Sequence, residues 1–431
     1  MLENYKNIII YGLGLSGLEV LNKLKNKKNI FIWDDSEKKR KELEKKGYQF
    51  LDPRDWPWEN IDLLISSPGI PINFGMNSFI IKEAKKNNIK IIGDIEVFYQ
   101  EFQNFKNKKI IAVTGTNGKS TFANVLYEIL SKSGLKVSLG GNIGIPALSL
   151  NINECDIIIF EISSFQLELI EDFKADISIL LNITEDHAER YGSFEEYQKT
   201  KIKIFLNQKD EDYAILDNTY LSKKILDEIN PSPRKIYFNE LKTNTPNLNL
   251  NKNRVLKYIL PALIKVTDIL RINRDFVFDE LSKYKNLNHR IDEICSLNGI
   301  NFVNDSKATN PAAANFAINQ FNDIYWILGG LSKDNDLNKL DLSNHNIKKI
   351  FLIGSSTKQI SKIIPKNINF EVSYNLENAT RSAYEEALKD QKGCVLLSPG
   401  CSSQDEFNDY QDRGNMFTKI VNNLEVNVKD I

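Results

Sequence analysis

The stretch Val113-Thr114-Gly115-Thr116-Asn117-Gly118-Lys119-Ser120-Thr121 holds the residue types of a phosphate-binding loop. Its glycines let backbone N–H groups converge on phosphate oxygens, and a helix opening at Lys119 adds the positive end of its dipole. Gly115, Thr116, Asn117, Gly118, Lys119, Ser120 and Thr121 are therefore the candidate ATP-binding residues. Lys119 can neutralise terminal phosphates, and the Ser120 hydroxyl can reach a magnesium ion. The full pattern G-x-x-x-x-G-K-[ST] asks for glycine where Val113 stands. The shorter G-x-x-G-K-S loop, with Gly115 taking the turn, meets the same need. A glycine-rich turn without a ligand is the competing reading.

Further groups could build a metal site beside that loop. Glu161 closes an apolar run in IIIFEISSFQLE, and His187 follows another in LNITEDHAERYG, among Thr184, Glu185 and Asp186. A carboxylate and an imidazole at two strand ends suit Mg²⁺ next to ATP, whereas a lone histidine also suits a plain surface position. The last third carries its own polar groups. These are Asn288-His289-Arg290, then NDSKATN from Asn304 to Asn310, then LGGLSKD with Lys333, then LLSPGCSSQDEFNDYQDRG with Ser398, Ser403, Asp405 and Tyr410. Lys, Arg and small hydroxyls together fit a carboxylate-bearing substrate. Turns and helix caps are the plainer account of each group taken alone.

A second glycine turn, GLGLSG with Gly12, Gly14 and Gly17, has the G-x-G-x-x-G spacing of a dinucleotide site, and Asp34 or Asp35 follows about 20 residues on. Alone it points to an NAD-dependent oxidoreductase. The same turn serves any nucleoside diphosphate, so a first domain holding a nucleotide-linked substrate and a second holding ATP is the alternative.

These residues need a framework. The 431 residues are enough for roughly three domains at ~150 each. The composition, 42% hydrophobic and 26% charged, is that of a soluble globular protein, and a net charge of −1 draws it to neither nucleic acid nor anionic lipid. Apolar runs at 8–11, 30–33, 63–66, 110–114, 157–161, 177–182, 324–328, 350–353 and 395–398 read as buried strands. Helix-like stretches such as 16–27 and 119–133 alternate with them, which predicts α/β domains with largely parallel sheets. Polar boundaries fall at YQEFQNFKNKK before residue 110 and at KYKNLNHR over 283–290, and the Asn-rich 239–253 reads as a loop. Cysteines 155, 295, 394 and 401 form no C-x-x-C pair, which fits a reduced, cytoplasmic setting. No run approaches the ~18 apolar residues of a membrane span.

VTGTNGKST, GGNIGIPA, EISSFQLE, NITEDHAERYG, YQKTKIKIF, HR, NDSKATN and LSPGCSSQDEFNDYQDRG stand in the order they take in the Mur ligases. From about residue 7 to about residue 420 the chain resembles that family. SSFQLE, TEDH and the Ser-Pro…Asp-x-Phe…Arg-Gly run are specific; GLGLSG alone is not. The resemblance implies an ATP-dependent amide ligase of peptidoglycan-precursor synthesis. It would add D-glutamate to UDP-N-acetylmuramoyl-L-alanine through an acyl phosphate, as a monomeric enzyme in the cytoplasm; the stereochemistry of the glutamate rests on the resemblance alone. The fold it implies is α/β in three domains. A Rossmann-like domain over 1–100 would hold UDP, a central P-loop ATPase-like parallel-sheet domain over 101–288 would hold ATP, and a Rossmann-like domain over 289–431 would bring the amino acid and close the site.

Residue roles follow from the same resemblance. Lys119 would bind the β- and γ-phosphates, Ser120 and Glu161 one magnesium, and His187 a second. Lys201 aligns with a family lysine carbamylated by CO₂, although its Lys-rich surroundings read plainly as surface. Gly14, Leu15, Ser16, Asp34, Asp35 and Ser36, with Ser67, Pro68 and Gly69, would take the UDP end; Asn142, Ser163 and Gln166 would line the muramoyl-alanine end. Arg290 and Asp305 would touch ATP, and Lys307, Thr309, Lys333, Ser403 and Tyr410 would hold glutamate. The chain departs from the family where two asparagines usually face adenine: Asn253 stands for the first and Leu256 for the second. Glu37 replaces an arginine near uracil, and Tyr410 a phenylalanine. Another amide ligase of the family, an oxidoreductase and a non-catalytic nucleotide-binding regulator stay open. Turnover excludes the last, and a nicotinamide effect on thermal stability would support the second.

Overall fold

The computed structural model describes residues 2–24, 29–74, 78–103, 105, 107–143, 145–184, 188–217, 232–238, 254–284, 287–332 and 336–429. Their contacts divide the chain into two compact units, Met1–Tyr284 and Lys285–Ile431.

The first unit holds two parallel sheets. In one, β1 (Asn7–Tyr11), β2 (Asn29–Trp33), β3 (Leu63–Ser66) and β4 (Lys90–Ile92) lie in the order β2-β1-β3-β4. Both of its faces are covered, which is why NIIIY and LLIS are nearly unbroken apolar runs. Ile8 and Ile10 pack with Val20 and Leu21 of the helix Leu15–Leu24, and Ile9 and Leu64 pack on the other side with Trp56, Trp58 and Ile81.

The other sheet carries the phosphate loop. Its strands are β5 (Lys109–Thr114), β6 (Val137–Gly141), β7 (Ile157–Glu161), β8 (Ile177–Leu180), β9 (Tyr213–Asp217) and β10 (Arg234–Phe238), ordered β10-β9-β8-β5-β7-β6. β5 sits between β7 and β8, so connections leave it toward both sides. In such a sheet the crevice at the carboxyl ends of the central strands is where ligands bind. The helix Lys119–Lys132 buries Phe122, Leu126 and Ile129 against Ile111, Ile159 and Ile179, and Ile259 and Leu263 of the helix Arg254–Ile269 complete that layer. The two sheets are tied through the helix Asp94–Phe102. One Glu96 carboxylate oxygen accepts the N–H groups of Glu171, Asp172 and Phe173, at 2.9, 3.1 and 3.0 Å.

In the second unit β11 (Asp292–Leu297), β12 (Ile300–Asn304), β13 (Ile324–Gly329), β14 (Ile347–Ile353), β15 (Asn369–Tyr374) and β16 (Gly393–Leu397) are ordered β11-β12-β16-β13-β14-β15. β11 is antiparallel to β12, and the remaining pairs are parallel. The helices Leu376–Asp390 and Tyr410–Lys429 cover one face through Ala379, Ala383, Phe417 and Val421. Trp326 and Leu352 lie on the other face with Ala314 and Ile318.

The α/β class and its parallel sheets agree with the sequence reading, and each expected apolar run meets a strand, with 177–182 and 395–398 running past the ends of β8 and β16. The reading names no run for the interior strands β9 and β12, and it passes over β4, β6, β10, β11 and β15, which are edge strands. With half their surface open they need no continuous apolar run; β15, NFEVSY, buries one residue fully. The polar run expected as a linker before residue 110 begins inside the helix Asp94–Phe102. The Asn-rich 239–253 lies outside the described residues.

Candidate active site

β5 ends at Thr114, and the loop then turns into the helix at Lys119. Gly118 is the N-cap with φ 85°, a left-handed conformation that suits glycine, and it offers no side chain to cap the first turn. The helix N-terminus is therefore open to an anion. Lys119 folds back over the loop, its Nζ donating to the carbonyls of Gly115 at 2.7 Å and Thr116 at 2.8 Å. The loop is held from below by Asn182, just past β8. Its Oδ1 accepts the N–H groups of Thr116 and Asn117 at 3.1 and 3.0 Å, and its Nδ2 donates to the Asn117 carbonyl. The Thr116 hydroxyl reaches Thr184 and the buried Tyr197 hydroxyl, 3.1 Å away. Tyr258 closes one side, donating to the Leu181 carbonyl at 3.3 Å, and burial pushes its phenol up to about 12.

Glu161, at the end of β7, pairs in register with Val113 on one side and Gly141 on the other. Its carboxylate is buried. Oε1 accepts from Asn142 Nδ2 at 2.9 Å, while Oε2 has no donor among the described residues. A buried carboxylate oxygen in that condition is stabilised by a cation, so Glu161 fits a magnesium ion at the loop. No group of three His, Cys, Asp or Glu side chains converges among the described residues. Mg²⁺ does not need one, because it binds through one or two carboxylates plus substrate phosphates. Lys201 departs from its surface reading. It is only 1% exposed, with Nζ 2.8 Å from the Gly115 carbonyl and 4.8 Å from the centre of the Tyr197 ring. The helix Phe194–Ile202 turns this one lysine of a basic segment inward, onto the carbonyl that Lys119 also meets.

Ser163 and Gln166 follow Glu161 and make a capping box. The Ser163 oxygen accepts the Gln166 N–H at 3.3 Å, and the Gln166 Oε1 accepts the Ser163 N–H at 3.1 Å. Both thus order the turn that leaves β7.

At the carboxyl edge of the first sheet lies a cleft of about 580 Å³, lined among others by Tyr11, Trp33, Asp35, Gly69, Ile70 and Phe79. Gly14, Leu15 and Ser16 open the helix Leu15–Leu24 at this edge, and Leu15 is 78% exposed. Asp35 accepts from the Tyr11 hydroxyl and the Trp33 indole N–H. Asp34 accepts the N–H groups of Leu13 and Ser36, so it braces the glycine turn. Ser36 caps the helix Glu37–Glu44. Glu37, where the family has arginine, pairs on the surface with Lys41, and Arg40 lies 4.2 Å over the Trp33 ring. Ser67 donates its N–H to the Tyr11 carbonyl at 2.8 Å.

The second unit gathers its own rim at the ends of β12 and β16. Asp305 is buried, accepting from Ser398 Oγ at 2.7 Å and from the Ile291 N–H at 3.2 Å. Burial pushes its carboxyl up to about 7, against the opposing pull of Ser398, the Ile291 N–H and the charges of Arg290 and Arg413. Lys307 Nζ stands 3.8 Å from the centre of the Tyr410 ring, so two of the residues expected at the glutamate touch. Thr309 donates its N–H to the Lys307 carbonyl, and Ser403 is buried, its carbonyl accepting from Glu406 and Phe407. His289 is buried on Asn304, 3.0 Å away, and desolvation lowers its pKa.

His187, Asn253 and Lys333 lie outside the described residues. Leu256, which the resemblance sets at the second adenine position, is 3% exposed and belongs to the core under the phosphate-loop helix. Several residues with no role in the sequence reading prove central. Asn182 and Tyr197 brace the loop, and Arg413 holds the carbonyls of Ser306 and Cys401 at 2.9 and 3.2 Å. All three lay inside or beside the quoted motifs, the one signal available for them.

A parallel sheet with a phosphate loop at its switch point, and a buried carboxylate and lysine beside it, defines a nucleotide-using α/β enzyme. The chain matches the Mur ligase middle domain over residues 113–263. It is 33% identical to the UDP-N-acetylmuramoylalanine--D-glutamate ligase of Wolbachia sp. subsp. Brugia malayi (strain TRS), over 98% of each chain. To the ligase of the same name from Rickettsia prowazekii (strain Madrid E) it is 34% identical, over 96% of this chain and 97% of that one. The chain belongs to the Mur ligase family. Among solved structures it shares the fold of MurF ligase from Thermotoga maritima in complex with ADP, with a TM-score of 0.59, 17% identity, and coverage of 84% of this chain and 96% of that one.

Proposed function

We propose that the chain is an ATP-dependent ligase that joins D-glutamate to UDP-N-acetylmuramoyl-L-alanine in peptidoglycan-precursor synthesis. One observation carries the reading: Lys119 and Lys201 meet at the Gly115 carbonyl beside a buried Glu161 whose Oε2 lacks a donor among the described residues. This is a site for concentrated phosphate charge and a divalent cation. Its place in a chain alike over nearly its whole length to ligases named for this reaction supplies the substrates.

The alanyl carboxylate attacks the γ-phosphorus of ATP, the bond to the β,γ-bridging oxygen breaks, and ADP leaves. The amine of glutamate then attacks the acyl phosphate, loses a proton and expels inorganic phosphate as the amide forms. Phosphoryl transfer asks mainly for position and charge neutralisation. Lys119 supplies charge at the β- and γ-phosphates, and the Asn182 brace keeps the loop amides in place. Magnesium, held by Ser120 and Glu161 with a second ion at His187, would neutralise charge on the phosphates. A carbamate on Lys201 belongs to the same proposal: it would replace a buried cation by an anion able to orient that metal. Arg290 and Asp305 are assigned to ATP, and Lys307, Thr309, Lys333, Ser403 and Tyr410 to glutamate. The domains proposed are 1–100, 101–288 and 289–431, one sheet in each, in a cytoplasmic monomer. No helix among the described residues is long and apolar enough to cross a membrane.

The test is phosphate release from ATP and Mg²⁺ with UDP-N-acetylmuramoyl-L-alanine, comparing D-glutamate, L-glutamate and neither. Release that depends on D-glutamate is expected. Dependence on L-glutamate alone overturns the stereochemistry, and silence in all three arms overturns the function.

A further inference from the structure

Arg190 is 6% exposed, and the Glu168 side chain it meets is buried with it. Its Nε donates to both Glu168 oxygens at 3.3 and 3.1 Å, and its Nη2 to Oε2 at 2.5 Å. The rest of the guanidinium faces another part of the chain. Nη1 donates to the Gly69 carbonyl at 3.2 Å, and Nη2 to the carbonyls of Pro68 and Ile70 at 3.1 and 2.9 Å. Phe165 packs 4.7 Å below it. One buried fork thus grips successive carbonyls of the turn after β3.

The two ends of this clamp matter. Gly69 and Ile70 line the cleft at the first sheet's edge. Glu168 directly follows the helix Ser164–Leu167, which itself follows Glu161 at the phosphate loop. A trans peptide sets its C=O and N–H on opposite sides. A Pro68 carbonyl held by Arg190 therefore turns the Gly69 N–H away from the guanidinium.

We infer that Arg190, oriented by Glu168, is a positioning residue for the nucleotide-diphosphate end of the acceptor. It fixes the turn at 68–70 at a set offset from Glu161 and the phosphate loop, so that the acceptor bound at one lies correctly for the other. This rests on the function proposed above. Only arginine's planar fork can serve the carboxylate and several carbonyls at once; lysine is a point charge with fewer donors.

The experiment titrates UDP-N-acetylmuramoyl-L-alanine, and UDP alone, into the full-length wild type, Arg190→Lys, and the double variant Arg190→Met with Glu168→Leu. The double variant removes both buried charges together, a change that folds commonly tolerate, whereas removing one strands the other. Steady-state kinetics accompany the titrations. In both variants the affinity for each UDP ligand should fall at least about tenfold, and KM for the acceptor should rise alike, as misplacement of a binding loop predicts. KM for ATP should stay within about twofold. General loss of structure would move both KM values, so the split marks a positioning role. A folded double variant that binds the UDP ligands like wild type overturns the inference. A wild type that binds neither UDP ligand overturns the functional reading on which it rests.

Discussion

Glu161→Gln separates the carboxylate's charge from its shape. Glutamine keeps an oxygen that can accept from Asn142 Nδ2, now at 2.9 Å from Oε1, and removes the charge on a buried Oε2 that has no donor among the described residues. Leaving a buried polar atom unsatisfied costs about 1–3 kcal/mol, more for a charged one. Without nucleotide and Mg²⁺ the variant should therefore melt at the wild-type temperature or above it. Ligand should reverse the order. At 100 times its Kd, Mg·ADP stabilises wild type by about 2.7 kcal/mol; a tenfold weaker complex at the same concentration gives about 1.4 kcal/mol. The Mg·ADP-induced melting shift should thus fall to about half or less. Turnover should drop at least ~10²-fold, or about 2.7 kcal/mol, as when one electrostatic stabiliser of a transition state is lost. Thermal melts with and without Mg·ADP, together with phosphate release, read all three. A variant that is less stable when unliganded, yet keeps the full Mg·ADP shift, would make Glu161 a structural carboxylate and refute the reasoning.

Lys119→Ala and His187→Ala should each lower the rate of phosphate release by at least ~10²-fold; near-wild-type turnover in either removes that residue from the charge-neutralising set. Gly118→Ala places an L side chain at φ 85°, so it should cost about 1–2 kcal/mol in chemical denaturation and raise KM for ATP. Asp305 is a case of pH linkage. Its carboxyl is raised from an ordinary 3.8 to about 7 by burial, so the stability it adds is fully present below the unfolded value and is lost as pH rises through about 7. The loss is at most about 4 kcal/mol. Melts over this range should show wild type declining relative to Asp305→Asn, and parallel curves for the two would refute the assignment.

The sequence reveals what local rules enforce. Central strands are apolar on both faces, and the loop's glycines, lysine and serine are neighbours in the chain. It conceals what depends on long-range packing. Nothing local separates Lys201 from the lysines around it, yet the helix Phe194–Ile202 buries it against Gly115 across 86 positions of sequence. Asn182 reads as the last residue of an apolar run until β8 is placed beside β5, where its side chain meets Thr116 and Asn117. Leu256 shows the converse. The leucine that departs from the family's second asparagine is a core residue, packed under the phosphate-loop helix.

The N-terminal glycine turn shows why one spacing cannot name a ligand. A side chain at Gly17 would put its Cβ 1.9 Å from the Gly12 carbonyl oxygen, so that glycine is required by the packing of the helix Leu15–Leu24 against the turn, whatever binds there. The acid about 20 residues on, which in a dinucleotide site would meet a ribose, is committed elsewhere. Asp34 holds the N–H groups of Leu13 and Ser36. Asp35 does reach the cleft, but it shares the wall with Trp33, Gly69 and Phe79 in a space of about 580 Å³. The fingerprint therefore records how a helix is seated on a strand, which an oxidoreductase and a ligase need equally. The phosphate loop is different in kind. Its neighbours Glu161 and Lys201 come from β7 and from a distant helix. An unsatisfied carboxylate does not by itself separate the two turns, since both oxygens of the buried Asp94, beside Ser16 and Gly17, also lack a donor among the described residues; what sets the phosphate loop apart is that two lysines from different helices, Lys119 and Lys201, converge on the one Gly115 carbonyl.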